Sequence, residues 1–279
     1  MTSNPAHHNP SRIALTLGAL ALGALACSPL HTQTRPTPPR AIIVLDPAHG
    51  GPDLGSQLTD DLQEKNVTLA LSARLRTTLT ASGFTVLTTR DDDPTALLPT
   101  DQRASVANHA HALACIVLHA TTSGSGIHLA TSTLPPAQDA DTPAVIPWDT
   151  AQAHYLPQSL LLANQLGVTL INAKLPTLLG RTSVRPIDNL TCPALTLEVA
   201  PLPSPDPNSA DDPIPASDPG YQQRIAQSVA TALTAFRSHP EPGPGPASPA
   251  KATPKAPRKP TTPTTKPANP TPAQNGAAR

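Results

Sequence analysis

Short apolar runs alternate with segments of helical periodicity between residues 41 and 238, and this alternation constrains the fold of the chain more than any other feature. The apolar runs predict buried strands at residues 41–45, 84–87, 115–118, 127–129 and 194–199. The periodic segments predict helices at residues 67–81, 101–112, 150–170 and 221–236. Continuous apolar strands that are separated by helices are typical of a largely parallel sheet with both faces covered. We therefore predict an α/β domain over residues 41–238, built on a single largely parallel sheet with helices on both faces.

The first 26 residues have the composition of a signal peptide. His7, His8 and Arg12 precede an uncharged run of apolar and small residues at 13–26, which is too short to span a bilayer comfortably. The sequence therefore predicts residues 1–26 to be a signal peptide and the mature protein to be exported to the periplasm.

Two interpretations of the segment around Cys27 remain open. Residues 24–26 form an A-x-A cleavage site, while Cys27 also ends a loose bacterial lipobox. In the second interpretation Cys27 is the lipidated first residue of the mature protein, and its acyl chains anchor the protein in the bacterial membrane. Residues 27–40 are rich in proline and are predicted to form a stalk.

Residues 239–279 are predicted to form a disordered tail. They hold 12 of the 37 prolines of the chain and few apolar side chains, so they bury too little surface to offset their ordering entropy. Four lysines, two arginines and one glutamate give this tail a net charge of +5. The tail is either a solvated spacer or a segment that tracks anionic polymers such as the cell wall. The whole chain has a formal net charge of zero, which argues against a nucleic-acid partner.

The chain has three cysteines, an odd number for an exported protein. Lipidation of Cys27 would leave Cys115 and Cys192 as a pair. These two either form a disulfide in an oxidising compartment or are two small buried strand residues. The sequence leaves both alternatives open, because it does not supply the Cα separation that a disulfide needs.

Four ionisable side chains lie near the ends of predicted elements. His49 follows the first strand, Glu64 precedes the first helix, His119 follows the third strand, and Glu198 lies near the end of the last strand. In open α/β sheets, ligands collect outside the carboxyl ends of the strands. Two imidazoles, one carboxylate and a second carboxylate nearby have the composition of a catalytic zinc site, which needs three protein ligands, an open position for water and a base. The spacing of these residues matches no short ligand motif.

Five segments around these residues share features with a known family. They are IIVLDPAHGGPDLGS, EKNVTLALSARLRTTLTASGFTVLTTRDDD, DQRASVANHAHALACIVLHA, CPALTLEVAPL and DPGYQQRIAQSVATAL. Together they resemble the zinc-dependent N-acetylmuramoyl-L-alanine amidases of the type 3 class over residues 41–238. The resemblance implies that His49, Glu64 and His119 bind Zn²⁺ and that Glu198 is the catalytic carboxylate. It also implies hydrolysis of the amide bond between N-acetylmuramic acid and L-alanine in peptidoglycan, during cell-wall remodelling or daughter-cell separation.

The chain departs from this family pattern close to the predicted site. Ala48 stands where the family usually has Gly, Thr121 where it commonly has Asn, and Ala200-Pro201 where it has a Gly-Phe pair. None of these positions is a ligand position, so we expect the metal site to be retained and the glycan or peptide subsites to differ. Arg185 is expected either to contact substrate carboxylates through its planar guanidinium or to form an ordinary ion pair.

Two other functions are compatible with the sequence. One is a catalytically inactive peptidoglycan-binding lipoprotein of the same fold, and the other is a metal-dependent peptidase or deacylase. The segment between His119 and Arg185 contains no long acidic helical insertion, so we expect no self-inhibiting helix there. The sequence leaves the need for an activator protein open.

Overall fold

The computed structural model describes residues 41–137, 145–204 and 211–238. The predicted signal peptide (1–26), stalk (27–40) and tail (239–279) lie outside the described residues and stay predictions. Within the described ranges, none of the helices is both long enough and apolar enough to cross a membrane.

Strands and helices alternate along the described chain in the predicted way. The strands are β1 (Ile42–Pro47), β2 (Gln57–Thr59), β3 (Leu62–Gln63), β4 (Thr85–Thr88), β5 (Ala114–Ala120), β6 (Ile127–Ser132), β7 (Thr177–Thr182) and β8 (Ala194–Val199). The α-helices are α1 (Glu64–Ala81), α2 (Thr100–His109), α3 (Leu156–Asn172) and α4 (Pro219–Ser238). Two 3₁₀ helices span Trp148–His154 and Ile187–Asn189.

Six strands form one sheet in the order β4-β1-β5-β8-β6-β7. Every neighbouring pair is parallel except β6 and β8, which are antiparallel. The short strands β2 and β3 form a separate antiparallel pair. The prediction of an α/β fold on a largely parallel sheet is therefore confirmed. Because β1, β5 and β8 are parallel, their carboxyl ends lie at one edge of the sheet, and the antiparallel β6 begins at that same edge.

Both faces of the sheet are covered. Alternate residues of β1 enter two apolar clusters, with Ile43 and Leu45 on one face and Val44 on the other. The first face packs against α1, α3 and α4. The second face packs against residues such as Ala104 of α2 and against the 3₁₀ helix Ile187–Asn189. Burial on both faces explains why the interior strands read as continuous apolar runs rather than as alternating ones.

The third helix begins later than the predicted residues 150–170. It spans Leu156–Asn172, and the 3₁₀ helix Trp148–His154 precedes it. Thr150 has φ −128°, which interrupts the helical backbone, and Pro157 lies in the first turn of α3. Proline suits a first turn because the N–H that it lacks has no helical partner there.

Strand β7 is not predicted from the sequence. It lies at the edge of the sheet, where Leu178 and Leu179 are 63% and 45% exposed, and Gly180 follows them. An edge strand buries few side chains, so its sequence lacks the long apolar run that marks an interior strand. The β2–β3 pair is also missed, because strands of three and two residues are too short to show a period.

Cys115 and Cys192 form a disulfide, which decides between the two alternatives that the sequence leaves open. Their Cα atoms are 6.1 Å apart, although 77 positions separate them along the chain. Both residues are buried in the apolar cluster beneath α2. The disulfide ties β5 to the segment that leads into β8.

Candidate metal centre and catalytic site

His49 lies in a tight turn directly after β1. Its backbone φ is 64°, and the N–H of the preceding Ala48 donates to the carbonyl oxygen of Leu118 on β5 at 3.0 Å. This bond ties the turn to the strand that carries His119. The structure thus brings these two histidines to the same edge of the sheet, and their rings meet edge to face with centroids 5.5 Å apart.

Two buried arginines hold the turn that carries His49 from beneath. Arg90 donates through Nε to the carbonyl oxygen of Pro47 at 2.9 Å and through Nη2 to that of Ala48 at 3.1 Å. Arg103 of α2 donates to the carbonyl oxygens of Pro47 and His49. Both arginines are almost fully buried. Buried backbone carbonyls need hydrogen-bond donors from the protein, and the two guanidinium groups provide them here. Neither arginine is among the site residues predicted from the sequence.

Glu64 is the first residue of α1, and its side chain is only 5% exposed. Its carboxylate accepts hydrogen bonds from His119 Nδ1 at 2.8 Å, from the Ser56 N–H at 2.9 Å and from the Ala120 N–H at 3.2 Å. Burial alone would raise the pKa of Glu64, but the hydrogen bonds from His119, His49 and Ser56 outweigh it and hold this pKa well below its usual range. Glu64 is therefore an anion enclosed by donors.

The imidazole of His49 lies between two carboxylates. Its Nδ1 donates to Asp53 Oδ1 at 2.9 Å, and its Nε2 lies 3.2 Å from Glu64 Oε2. The hydrogen bond to Glu64 raises the pKa of His49, although burial opposes the shift. Asp53 thereby fixes the ring orientation and leaves Nε2 directed at Glu64. Asp53 is not among the site residues predicted from the sequence. Its position four residues after His49 is the one feature of the sequence that could have indicated a role in the site.

The residues of this site fit a divalent metal ion. Donor atoms of His49, Glu64 and His119 all lie within 4.8 Å of one another. Two imidazole nitrogens and one carboxylate oxygen are a ligand set that Zn²⁺ takes in catalytic sites. Gly55 also fits this arrangement, because a Cβ there would lie 2.6 Å from His49 Cδ2 and 2.8 Å from Glu64 Oε2. A side chain at position 55 would therefore collide with two of the three predicted ligands.

Glu198 lies beside this cluster because of the register of the sheet. It is directly opposite His119 on β5 and directly opposite His128 on β6. Its Oε2 accepts a hydrogen bond from His128 Nδ1 at 2.8 Å. The side chain of Glu198 is 39% exposed, so it remains open to water and to a substrate. His128 carries no signal in the sequence that marks it as part of the site.

Two cavities adjoin His119. The larger, of about 390 Å³, is lined by His49, Asp53, Arg103 and Arg185 among others. The smaller, of about 180 Å³, is lined by His128 and Glu198 together with threonines of β7 and β8. Val184 lines both cavities. The two cavities share His119 and Val184 in their walls and together form a cleft, with His49 and His119 lining its larger part and His119 and Glu198 its smaller part.

Arg185 lies in the wall of the larger cavity and is exposed. In the described part of the chain it forms no ion pair with an acidic side chain.

The departures from the family pattern lie outside the metal-ligand cluster. Ala48 is buried and accepts hydrogen bonds from Thr68 and Arg90 through its carbonyl oxygen. The carbonyl oxygen of Ala200 accepts a hydrogen bond from the Tyr221 hydroxyl, with 3.2 Å between the two oxygens. Thr121 donates its N–H to Val199 at the end of β8. None of these three replacements removes a donor atom from the metal-ligand cluster.

Known proteins match this chain in both sequence and fold. An AmiC N-acetylmuramoyl-L-alanine amidase from Neisseria meningitidis is 31% identical over 96 residues, and a germination-specific N-acetylmuramoyl-L-alanine amidase from Bacillus subtilis is 38% identical over 91 residues. These matches cover 32% and 28% of this chain but only 23% and 38% of the two relatives. The crystal structure of Ami1, the N-acetylmuramyl-L-alanine amidase of Mycobacterium smegmatis, has the same fold, with a TM-score of 0.54 at 22% identity over 71% of this chain and 97% of that one.

The sequence profile of the N-acetylmuramoyl-L-alanine amidases matches residues 43–235, from the first strand of the sheet to the last helix. This match covers well over half of the chain and includes every residue of the cleft described above. The chain therefore belongs to the N-acetylmuramoyl-L-alanine amidase family.

Proposed function

We propose that this chain hydrolyses the amide bond between N-acetylmuramic acid and L-alanine in peptidoglycan, with Zn²⁺ bound by His49, Glu64 and His119. One observation carries the proposal: donor atoms of His49, Glu64 and His119 lie within 4.8 Å of one another, and Glu198 lies directly opposite His119 on the neighbouring strand. A ligand cluster with an adjacent, solvent-accessible carboxylate is what a metal-assisted hydrolase needs. Membership of the amidase family supports this choice of bond.

The residues of the cleft divide the chemistry between them. When bound, Zn²⁺ supplies a Lewis acid that polarises the amide carbonyl and increases the acidity of a water molecule. Glu198 accepts a proton from the attacking water as the water oxygen bonds to the lactyl carbonyl carbon. The same carboxyl group then gives this proton to the amine of L-alanine as the C–N bond breaks. The products are a lactyl carboxylate on the glycan and a stem peptide with a free amino terminus.

The larger cavity is the proposed site of the stem peptide. Arg185 is exposed there with no acidic partner among the described residues, and a stem peptide carries carboxylates that match its planar guanidinium. In this arrangement Arg185 binds substrate and takes no part in bond breaking. The smaller cavity beside Glu198 then receives the glycan side of the bond.

The test is digestion of purified peptidoglycan, followed by mass analysis of the soluble products. Free stem peptides that begin with L-alanine, together with intact glycan strands, are expected. Shortened peptides would indicate a peptidase instead, and no release would indicate a wall-binding protein without activity.

Two controls separate the proposed roles. Exhaustive chelation should abolish hydrolysis, and added Zn²⁺ should restore it. Glu198→Gln should bind about one zinc per chain, as the parent does, while its kcat falls at least about a hundredfold, because only the proton transfer is lost. Full activity after chelation would contradict the zinc assignment, and a parent-like rate in Glu198→Gln would contradict the role of Glu198.

We propose further that the protein works outside the cytoplasm, held to the membrane through Cys27. The Cys115–Cys192 disulfide supports export, since disulfides persist in oxidising compartments. Cys27 itself lies outside the described residues. Labelling with palmitate should mark the parent protein but not Cys27→Ser, and unlabelled parent protein would favour cleavage at the A-x-A site without lipidation.

A further inference from the structure

We propose that His128 is a positioning residue that orients the carboxylate of Glu198 for proton transfer, an inference that rests on the proposed function. His128 lies on β6, directly across the antiparallel ladder from Glu198. Its Nδ1 lies 2.8 Å from Glu198 Oε2. An ionised carboxylate only accepts hydrogen bonds, so His128 is the donor.

The order of strands places this pair beside the predicted metal ligands. His119, Glu198 and His128 occupy equivalent positions on β5, β8 and β6, so their side chains leave the same face of the sheet in a row. All three line the smaller cavity. Glu198 therefore lies between a ligand on one side and a hydrogen-bond donor on the other.

The loop before β6 lies close to the ring of His128. Gly124 has φ +76°, and a Cβ there would be 2.8 Å from His128 Cε1 and 3.0 Å from Nε2. The imidazole therefore occupies the space that a side chain at position 124 would need. The glycine leaves room for the ring in the orientation that donates to Glu198.

The contribution of this pair to stability is small. The side chains of His128 and Glu198 are 29% and 39% exposed, and pairs at such exposure contribute little to the stability of a fold. The stability of the fold gives little reason for a histidine at this point of β6. A role in the orientation of Glu198 does give one.

The consequence for the reaction lies in the two oxygens of the carboxylate. Oε2 is engaged by His128, and among the described residues no donor engages Oε1. Oε1 thus remains available to accept a hydrogen bond or a proton from a water molecule. Without the hydrogen bond the carboxylate rotates freely, and fewer encounters with water have the geometry that proton transfer needs.

The experiment compares three variants on a soluble muropeptide, with kcat and KM measured separately. In His128→Ala, kcat should fall about tenfold to a hundredfold while KM changes less than about twofold, since substrate binding is not affected. In His128→Asn, most of the rate should return, because the asparagine Nδ2 is attached to Cγ just as the histidine Nδ1 is. His109→Ala is the matched control, as this imidazole bonds Ser105 of its own helix, and it should behave as the parent does.

Zinc content and the thermal unfolding midpoint should be the same in all four proteins, which separates positioning from a merely structural role. A parent-like kcat in His128→Ala would overturn the role of His128 but leave the proposed function standing. Equal losses in the alanine and asparagine variants would overturn it as well, because the donor at that position would then be irrelevant. Failure of the parent to release stem peptides would overturn the proposed function and this inference with it.

Discussion

At Gly55 the loop after β1 passes against the metal-ligand cluster. Its φ is +68°, and a Cβ would lie 2.6 Å from His49 Cδ2 and 2.8 Å from Glu64 Oε2. Neither neighbour can move away freely, since His49 is held by Asp53 and Glu64 by three further donors. A side chain at this position must therefore displace the ligands themselves.

We expect Gly55→Ala to weaken zinc binding about tenfold or more and to lower the free energy of unfolding by about 1–3 kcal/mol, because the new methyl group is both strained and crowded. Gly180→Ala is the control, since no atom lies within 4 Å of its Cβ position. That variant should stay within about 0.5 kcal/mol of the parent. Competition with a chromogenic chelator measures the affinity, and urea unfolding measures the stability. Parent-like zinc affinity in Gly55→Ala would show that the loop does not shape the site.

Three of the four predicted site residues share a property that a single sequence reveals. His49, His119 and Glu198 lie at or near the ends of apolar runs, where the strand signal is strong and a polar side chain stands out. Nothing in the sequence marks His128 in this way. It lies opposite Glu198 only because β6 pairs with β8 and runs antiparallel to it. Strand order and strand direction follow from packing over the whole sheet, and the period of a single segment does not specify them.

At the scale of elements, the turn after β1 is positioned by helix α2 and by the loop after β4, neither of which contributes a donor atom to the metal-ligand cluster. Arg90 follows β4, and Arg103 lies on α2, which also packs on the second face of the sheet. Arg103 additionally pairs with Asp46 of β1 at 2.7 Å, with both side chains less than a tenth exposed. The orientation of His49 thus depends on the docking of α2, although α2 itself binds no metal.

Replacing Arg103 should therefore disturb the metal centre from a distance. Arg103→Lys keeps the charge beside Asp46 but cannot reach the carbonyl oxygens of Pro47, His49 and Leu98 together. We expect a loss of about 1–3 kcal/mol in the free energy of unfolding and a measurable loss of zinc affinity, since buried carbonyls lose their donors.

The control for this variant is Arg76→Lys. Arg76 pairs with Asp91 at the surface, where their side chains are 42% and 68% exposed. Such a replacement should change the free energy of unfolding by less than about 1 kcal/mol and leave zinc binding unchanged. Equal zinc affinities in the Arg103 and Arg76 variants would mean that the turn holds His49 without help from α2.

For the whole molecule, the disulfide joins strand β5 to the segment that leads into β8. Cys115 is the second residue of β5, which ends near His119, and Cys192 lies two residues before β8, which ends near Glu198. The two strands also pair in register over six residue pairs, from Cys115 opposite Ala194 to Ala120 opposite Val199. The alignment of His119 with Glu198 is thus maintained by the backbone ladder, and the disulfide acts mainly on the unfolded chain.

This division predicts that the disulfide affects stability far more than activity. The double variant Cys115→Ala/Cys192→Ala should lose about 2–4 kcal/mol in the free energy of unfolding, because the cysteines close a loop with a separation of 77 positions. Its kcat and zinc content at a temperature well below its unfolding midpoint should match those of the parent, since the β5–β8 ladder remains. Urea unfolding with and without a reductant provides the measurement: reductant should lower the midpoint of the parent and leave the double variant unchanged. A large fall in kcat of the folded double variant would instead show that the ladder alone does not hold His119 and Glu198 in register, and that the covalent link is part of the active-site architecture.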